Sequence, residues 1–600
     1  MTKLSLQGLW QTVGARGGAE FMVLPDRRVS YGDLVRSIRQ WLTCFDAHGV
    51  QPGDRIVIRT ADEETMVAAF VGALLDGVVP VPLTADTPDA RAAAVSANVE
   101  AALFLSDIAP ADDALAGTTR VLSLSTRSAP AKNSWFGRGR PRDGALGDDY
   151  PPAIREPRLL SDEHDLAYVL FTSGTTLSPS GVMISRGNLF ANLATLSRLF
   201  GYDQRSRIFN DMILAHADGI VQGPLLAAAN GCTVVRAGGF QLSRLEEWLG
   251  TVRRERATHV ITVPTVWSLI DRFAEHDDYF DAPECGALLS VAAKLPDALW
   301  RRLESRFSRP VFNQYGLTET VASALYAGPQ PEMGVFGTVG RPVDCEARID
   351  PDASDQRQGE LHLRGANVFA GYWRNPDRTA ATFVTDGWMK TGDLARFRDD
   401  GSYEILGRLK TVIMTGGFLI RPDEIDEAML RHPAVQESAT VGIADELFDE
   451  VPVTAVVCRE PIDEATLTAH ARSLLEPHKV PKRIITVDAI PYGDSGKAQI
   501  GPLREQMLAA MALLDGDPTV GDGANVVDLV MAVACDVFRV KPDRLSTRTG
   551  AGDVPGWDSF SQLTLLMAVE EALDIRVPAS RVAAIRTLGD VVRIAKELKR

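Results

Sequence analysis

The first hundred residues alternate short apolar runs with segments of helical periodicity, and this alternation limits the fold more than any other feature. The run "DRIVIRT" (54–60) predicts a buried strand. The segment "EETMVAAFVGALLDGV" (63–78) predicts a helix, because its apolar residues recur at three- and four-residue spacing. The runs "VVPVPL" and "LFLS" predict two more strands. Strands and helices in this order indicate an α/β fold, in which helices cover layers of parallel sheet.

The chain has 600 residues, which is too long for a single core, so we expect several units. The region 128–160 is rich in Pro, Gly and charge and predicts a surface excursion, after which the α/β alternation resumes to about residue 400. A compact α/β segment follows, and "LLDGDPTVGDGAN" predicts a flexible linker. We therefore predict a large domain (1–406), a smaller mobile α/β domain (407–512), a linker (513–525) and an all-α helical bundle (526–600).

Charge and cysteine usage exclude several classes of protein. The net charge of −16 argues against nucleic acid or an anionic membrane as the main partner. The six cysteines lie far apart with no C-x-x-C pair, which argues against a disulfide framework and a zinc site. The start lacks the apolar core of a signal peptide, and no run of 18 apolar residues occurs. We expect a cytoplasmic protein with no membrane partner.

The segment "FTSGTTLSPSGV" (171–182) follows the apolar run "DLAYVL" and predicts a phosphate-binding loop. Backbone N–H groups and hydroxyls at the end of a strand can surround phosphate oxygens. The segment contains no lysine or arginine and is not a Walker loop. By itself it also fits a polar turn after a buried strand, so the companion motifs decide between the two interpretations.

Four more motifs follow in order: "NQYGLTET" (313–320), "TGDLARFRDDG" (391–401), "LGRLKTVIMTGG" (406–417) and "PYGDSGKAQI" (491–500). With the loop they resemble the signature set of the adenylate-forming superfamily, which includes acyl-CoA ligases, luciferases and the adenylation domains of peptide synthetases. The resemblance covers roughly residues 20–510. It implies a large and a small adenylation subdomain, ATP and Mg²⁺ as cofactors, and attack of a carboxylate on the α-phosphorus of ATP.

The resemblance also implies a role for each motif residue. Lys497 bridges the carboxylate and the α-phosphate, and Glu319 helps to hold Mg²⁺, which prefers oxygen ligands. Asp393 accepts hydrogen bonds from the ribose, and Arg408 contacts the ribose side of the nucleotide. The remaining ATP-binding residues are Thr172, Ser173, Gly174, Thr175 and Thr176 around the β- and γ-phosphates, Tyr315 against the adenine, and Gly316 and Thr318 of the same motif.

Two residues of the loop depart from the family pattern, and one residue marks the hinge. Leu177 stands where the family usually has glycine, and Ser180 where it has lysine. We therefore predict weaker ATP binding or slower closure with the chemistry retained. The superfamily rotates its small domain between adenylation and thiol attack, and the resemblance places the pivot at Lys410.

The last unit predicts a carrier domain. A helix is expected to begin near Ser559, with an apolar stripe along Leu563, Leu566, Met567 and Val569 to Leu573. The segment resembles an acyl or peptidyl carrier domain, which implies attachment of 4'-phosphopantetheine to Ser559. A flexible arm would make delivery of the thiol intramolecular. An ordinary helix cap at Asp558 is the alternative interpretation.

The substrate-pocket segment "HADGIVQGPLLAAANGCTVV" (216–235) leaves the acid open. His216 and Gly219 form the H-x-x-G pattern of acyl and aryl ligases, which favours a simple carboxylic or hydroxy acid. Asp218 lies where amino-acid adenylating domains place the aspartate that pairs with the substrate ammonium, which favours an amino acid.

The hypothesis preferred from the sequence is a loading module of a polyketide or non-ribosomal peptide pathway, which adenylates a small carboxylic acid and loads it on Ser559. Its partners would be a phosphopantetheinyl transferase and downstream synthase or tailoring enzymes. The alternatives are an amino-acid-activating didomain, an acyl-CoA ligase that uses free coenzyme A, and a non-catalytic carrier or scaffold.

Overall fold

The computed structural model describes most of the chain up to residue 515 and a part of the remainder. The described residues are 4–107, 120–124, 150–160, 162–172, 180–293, 295–330, 333–352, 355–408, 413–415, 418–420, 422–445, 448–487, 489–491, 500–515, 526–538, 540, 544–550, 553–554, 557, 562, 565–566, 569–570, 573, 575, 577–578, 581 and 585–598. Among them, no helix is long and apolar enough to cross a membrane.

The strands are numbered in chain order. They are β1 Glu20–Val23, β2 Arg28–Ser30, β3 Arg55–Arg59, β4 Val79–Leu83, β5 Leu103–Ser106, β6 Arg120–Ser123, β7 Leu166–Thr172, β8 Ser180–Ser185, β9 Arg207–Asn210, β10 Thr233–Val235, β11 His259–Thr262, β12 Ala287–Ser290, β13 Val311–Tyr315, β14 Leu325–Ala327, β15 Arg341–Pro342, β16 Cys345–Asp352, β17 Asp355–Gly365, β18 Gly371–Tyr372, β19 Phe383–Val384, β20 Trp388–Phe397, β21 Tyr403–Arg408, β22 Ile413–Thr415, β23 Phe418–Ile420, β24 Val435–Asp445, β25 Asp449–Cys458 and β26 Arg483–Thr486.

The helices are numbered in the same way. They are α1 Leu6–Ala15, α2 Tyr31–His48, α3 Glu63–Asp76, α4 Asp89–Asn98, α5 Arg186–Phe200, α6 Ala217–Ile220, α7 Leu226–Asn230, α8 Leu245–Arg254, α9 Pro264–Phe273, α10 Asp297–Phe307, α11 Pro376–Thr382, α12 Pro422–Leu430, α13 Glu464–Leu474, α14 Ile500–Asp515, α15 Val526–Phe538 and α16 Leu588–Leu598. Short helical turns occupy Val221–Leu225, Leu242–Arg244, Thr318–Thr320, Thr385–Gly387 and Pro477–Lys479.

The large unit is built from layered sheets, as the sequence predicted. A nine-stranded sheet has the order β15-β14-β13-β12-β11-β9-β10-β1-β2, and its central strands pair in parallel. A four-stranded sheet, β4-β3-β5-β6, is parallel throughout and contains the strands predicted from the first hundred residues. Helix α3 packs against α2 on one side and against β3 and β4 on the other. It is buried along nearly its whole length, which explains why its central residues are apolar on every face. The α/β class is therefore confirmed.

Two smaller sheets bring the site residues together. The hairpin of β7 and β8 pairs with β18, and a second sheet joins β16, β17, β20 and β19, with β21 paired to β20. Strand β8 packs against the short turn Thr318–Thr320, which follows β13. The end of β13, the middle of β20 and the hairpin of β7 and β8 thus frame one region of the large unit.

The described end of the predicted surface excursion packs closely against the large unit. Arg155 and Arg158 form ion pairs with Asp76, whose side chain is completely buried at the end of α3. Arg155 also pairs with Asp46 of α2. The segment lies at the surface, as predicted, and these two arginines neutralise a buried carboxylate, which is costly to leave unpaired.

The small unit contains the sheet β23-β22-β25-β24, with β26 paired in parallel to β25. Helices α12 and α13 cover one face, where Ile425, Met429 and Leu467 are buried. Helix α14 lies on the other face through Leu503 and Met507. This helix continues to Asp515, so residues 513–515 of the predicted linker are helical.

Helical residues follow in the last unit. Helices α15 and α16 pack together, and the ring of Trp557 stacks on Phe538 at 4.5 Å between centroids. Leu566, Val569 and Leu573 of the predicted apolar stripe are buried, whereas Leu563 and Met567 lie outside the described residues. Glu570 forms an ion pair with Arg272 of α9 at 2.8 Å, which joins this unit to the large unit.

Candidate functional site

Two of the predicted nucleotide residues are in contact at the end of β13, and the backbone of a third lies opposite one of them. Tyr315 is the last residue of this strand, and its hydroxyl donates a hydrogen bond to Oδ2 of Asp393 at 2.5 Å. Asp393 lies in β20, is almost fully buried, and pairs in register with Arg408, the last residue of β21. The phenol fixes the orientation of a buried carboxylate, which is the kind of acceptor that suits vicinal hydroxyls of a sugar.

The segment after Tyr315 turns sharply, and Gly316 permits the turn. A Cβ at Gly316 would lie 1.8 Å from the backbone oxygen of Ala322, so no other residue fits without a shift of the backbone. The hydroxyl of Thr320 accepts a hydrogen bond from the Leu317 N–H and closes the turn. Thr318 and Glu319 lie in the resulting helical turn.

Glu319 is held by a tyrosine that lies outside the five predicted motifs. The hydroxyl of Tyr372, in β18, donates to Oε1 of Glu319 at 2.7 Å, and the Phe369 N–H donates to the Glu319 backbone oxygen. Burial and the neighbouring Glu319 carboxylate raise the pKa of Tyr372 above its ordinary value. The Arg378 guanidinium lies over the Tyr372 ring, 3.8 Å from its centroid. Tyr372 stands in the string "AGYWRNP", but no local pattern marks it as a site residue.

The donor set around Glu319 is compatible with Mg²⁺ bound mainly through substrate. The described residues contain no group of three or more His, Cys, Asp or Glu side chains that could hold a metal ion. Glu319 is partly exposed and supplies carboxylate oxygen, the ligand type that Mg²⁺ prefers. Mg²⁺ commonly binds through one or two carboxylates together with phosphates and water, so a single protein carboxylate fits.

The strands on either side of the predicted phosphate loop are described, and the loop itself is not. Thr172 ends β7 and pairs in register with Ser180, the first residue of β8. Ser180 is buried. Ser173, Gly174, Thr175, Thr176 and Leu177 lie outside the described residues. Because β8 packs against the turn Thr318–Thr320, the strand that follows the loop lies beside Glu319.

His216 lies in a crevice between the large and the small unit. His216 is partly exposed to solvent. The protein around its ring and the positive charge of Lys479 lower its pKa, and the carboxylate of Glu476 opposes them. Its ring lies edge-on to Phe418, with centroids 6.0 Å apart. Phe418 stacks on His478 at 4.1 Å. The small unit therefore forms one wall of the predicted acid site.

Asp218 and Gly219 lie in the next turn of the same segment. The Gln222 side-chain amide donates to Oδ1 of Asp218 at 2.7 Å, and burial raises the pKa of Asp218 to about 6. Within the described part of the chain, no salt bridge reaches this carboxylate. Gly219 is required by close approach, because a Cβ there would lie 2.0 Å from the Ile213 backbone oxygen.

Several predicted residues cannot be placed relative to these. Lys410, Lys497, Asp558 and Ser559 lie outside the described residues, as does the side chain of Arg408. Their roles stay predictions.

Comparisons with known proteins give matches over most of the chain. Residues 9–373 match the family described as "AMP-binding enzyme", and residues 424–497 match "AMP-binding enzyme C-terminal domain". The chain is 31% identical over 491 residues to sulfoacetate–CoA ligase of Cupriavidus necator, covering 80% of this chain and 93% of that protein. It is 27% identical over 511 residues to a linear gramicidin synthase component of Brevibacillus parabrevis, covering 82% of this chain and 6% of that protein.

A solved structure matches both units. A double mutant of o-succinylbenzoate CoA synthetase from Bacillus subtilis, bound to a product analogue, aligns with a TM-score of 0.72 at 24% identity. The alignment covers 83% of this chain and 98% of that chain. The likeness supports a shared fold that extends through the small unit.

Proposed function

Because the chain belongs to the AMP-binding enzyme family of adenylate-forming ligases, we propose that it activates a carboxylic acid with ATP and transfers the acyl group to coenzyme A. The relative that is 31% identical is a CoA ligase, and its length is almost fully covered. This favours coenzyme A over a carrier thiol as the acceptor. The sequence alone had favoured the carrier thiol over coenzyme A.

The contact between Tyr315 and Asp393 carries the proposal. The two residues are 78 positions apart in the chain, yet the phenol donates to the carboxylate at 2.5 Å. Arg408, from the next motif, lies opposite Asp393 in the sheet. Motif residues that were assigned to one nucleotide from the sequence thus converge on one place, which supports a common ligand.

The proposed reaction has two steps. A carboxylate oxygen of the acid attacks the α-phosphorus of ATP, and the bond to the β-phosphate oxygen breaks with release of pyrophosphate. The coenzyme A sulfur then attacks the acyl carbon, the thiol proton passes to solvent, and AMP leaves. Lys497 and an Mg²⁺ ion held by Glu319 would neutralise the phosphates in the first step, and Arg408 would position the nucleotide from its ribose side; catalysis of this step is mainly electrostatic. His216 and Gly219 would border the acid.

Product analysis with a panel of acids tests this function. The chain is incubated with ATP, Mg²⁺, coenzyme A and carboxylic, hydroxy, sulfonated or amino acids, and acyl-CoA and pyrophosphate are measured. We expect acyl-CoA with at least one acid and loss of pyrophosphate exchange in Lys497→Ala. Lys482→Ala is the matched control, because Lys482 is paired with Asp445 in the small unit at 2.8 Å. Absence of exchange with every acid would refute an active ligase and favour the scaffold alternative.

A second candidate is transfer to the chain's own last unit. Two observations favour it: the helices α15 and α16 lie beyond residue 497, where the family match ends, and a component of a peptide synthetase is among the relatives. In this case Ser559 would carry 4'-phosphopantetheine, and the unit from residue 526 would serve as a carrier for downstream enzymes.

Intact-protein mass spectrometry separates the two acceptors. The chain is treated with a phosphopantetheinyl transferase, then with ATP and acid in the absence of coenzyme A. A pantetheine increment followed by an acyl increment, both lost in Ser559→Ala, would support the carrier candidate. Acyl-CoA formation that is unaffected by Ser559→Ala would support the ligase alone.

A further inference from the structure

A cluster of four charged side chains joins the large unit to the small unit. Arg91, from α4 of the large unit, contacts Glu476 at 2.6 Å and Glu424 at 3.2 Å. Lys479 contacts the same carboxylates, Glu424 at 2.9 Å and Glu476 at 2.8 Å. The cluster contains two cations and two carboxylates, so its charges balance. Arg91 is its member from the large unit.

The cluster is shielded from water. Lys479 is 1% exposed, Glu476 10%, Glu424 13% and Arg91 23%. Burial would raise the pKa of Glu476, but Lys479 and Arg91 outweigh it and hold this pKa below its ordinary value. Removal of Arg91 would leave two carboxylates facing one lysine in a poorly hydrated place, which is strongly unfavourable.

The cluster lies next to the wall of the acid site. Lys479 follows His478, whose ring stacks on Phe418 at 4.1 Å. Phe418 in turn lies edge-on to His216 of the large unit. The two units therefore touch at two neighbouring points, the ion cluster and the aromatic wall. A movement of Lys479 in the ion cluster would also move His478 and Phe418 in the aromatic wall.

We propose that Arg91 is a positioning residue for one of the two half-reactions: its contacts with Glu424 and Glu476 hold the small unit where Phe418 closes the acid site beside His216. This inference rests on the proposed ligase function. The two half-reactions need different positions of the small unit, so an arrangement held by Arg91 serves one of them and must open for the other. Arg91 contacts the carboxylates of the small unit and acts on the acid site through them.

Separate assays of the two half-reactions test the role of Arg91. Pyrophosphate exchange reports adenylation, and single-turnover transfer from preformed acyl-adenylate to coenzyme A reports thioester formation. In Arg91→Ala we expect one of the two rates to fall about tenfold or more, because loss of one partner of a buried pair costs several kcal/mol. The other rate should stay within about twofold, since that half-reaction needs the small unit in another position. Arg91→Lys should restore most of the lost rate.

A control and a structural readout make the result decisive. Arg198→Ala removes an ion pair of the same 2.6 Å length within the large unit, to Asp344, and should change neither half-reaction. Hydrogen exchange of residues 422–430 and 477–480 should quicken in Arg91→Ala and stay unchanged in Arg198→Ala. Equal loss of both half-reactions, or no loss of either, would overturn the proposal.

The failure of the proposed function gives a different result. If wild-type protein shows no pyrophosphate exchange with any acid, the ligase function is refuted. Hydrogen exchange then decides whether Arg91 holds the small unit, because that measurement needs no substrate. Unchanged protection in Arg91→Ala would overturn the positioning role in either case.

Discussion

Replacement of Asp218 by Asn should stabilise the protein, and the gain should depend on pH. Burial raises the pKa of Asp218 from 3.8 to about 6. The Asp218 carboxylate accepts a hydrogen bond from the side-chain amide of Gln222. An asparagine oxygen can accept the same hydrogen bond without the cost of a buried charge. The substitution is close to isosteric, so packing against neighbouring residues should be preserved.

The size and sign follow from the pKa difference between the folded and the unfolded chain. The shift of about two pKa units corresponds to about 3 kcal/mol at most, at about 1.4 kcal/mol per unit. Because the folded-state pKa is raised, the stability contributed by the protonated group is fully present below 3.8 and is lost as pH rises through about 6. The advantage of Asp218→Asn should therefore be near zero at about pH 4 and greatest above about pH 7.

Thermal unfolding followed by tryptophan fluorescence across this pH range measures the effect. Asp344→Asn is the matched control, because hydrogen bonds from Thr195 and Arg198 outweigh burial and hold the pKa of Asp344 below its ordinary value. That variant should gain nothing at high pH. A fall in Tm for Asp218→Asn at high pH, or a gain that is equal at both ends of the range, would refute a costly buried carboxylate.

The same variant tests the substrate class. For an acid without an amino group, Asp218→Asn should leave the KM within about threefold, because no substrate charge faces the carboxylate. A rise of about tenfold or more in the KM of an amino acid would instead assign Asp218 to the substrate ammonium, since loss of one partner of a buried charge pair is costly.

Three further changes probe other parts of the molecule. Tyr315→Phe should raise the KM for ATP in pyrophosphate exchange about tenfold, because a hydrogen bond to the Asp393 carboxylate is worth about 1.5–3 kcal/mol; an unchanged KM would contradict its place in the nucleotide site. Ser180→Lys should lower the same KM about threefold or more by supplying the absent cation, and a higher KM would show that the buried start of β8 cannot admit a lysine. Arg272→Ala should speed proteolytic cleavage within 513–525 with exchange activity unchanged, because it leaves the buried Glu570 carboxylate without its arginine partner; equal cleavage rates would show that this ion pair does not hold the last unit.

The fold follows from local patterns wherever those patterns are strong. The strands β3, β4 and β5 and the helix α3 were predicted correctly. Each is a continuous segment whose pattern of apolar residues reflects which of its own faces are buried. The described end of the 128–160 excursion lies at the surface, as predicted, but its ion pairs with the large unit were not foreseen. Arg155 pairs with Asp76 across 79 positions, and no periodicity in either segment signals such a contact.

The large-unit part of the candidate site was foreseeable because its residues stand in ordered motifs that resemble those of a known superfamily. Tyr315 and Asp393 were found as motif residues, and the structure brings them into contact. Tyr372 was missed, since a single tyrosine in a loop-like string carries no signal until its partner, Glu319, is known. Phe418 was missed for the same reason: its importance lies in a contact with His216 about 200 residues earlier.

The ion cluster shows why the contacts between the units resist prediction and why they are polar. Arginine, lysine and glutamate are ordinary surface residues in any helix, so the sequence around Arg91 gives no sign of a buried network. A large apolar interface would fix the small unit in one place, whereas a charge-balanced cluster regains hydration when it separates, so its net cost of opening is small. Arg91 can therefore select one arrangement while leaving the other accessible, which is what two half-reactions in one site require. Replacement of the four charged residues of the cluster by apolar residues should accordingly slow the overall conversion of acid to acyl-CoA, even where the replacement stabilises the fold.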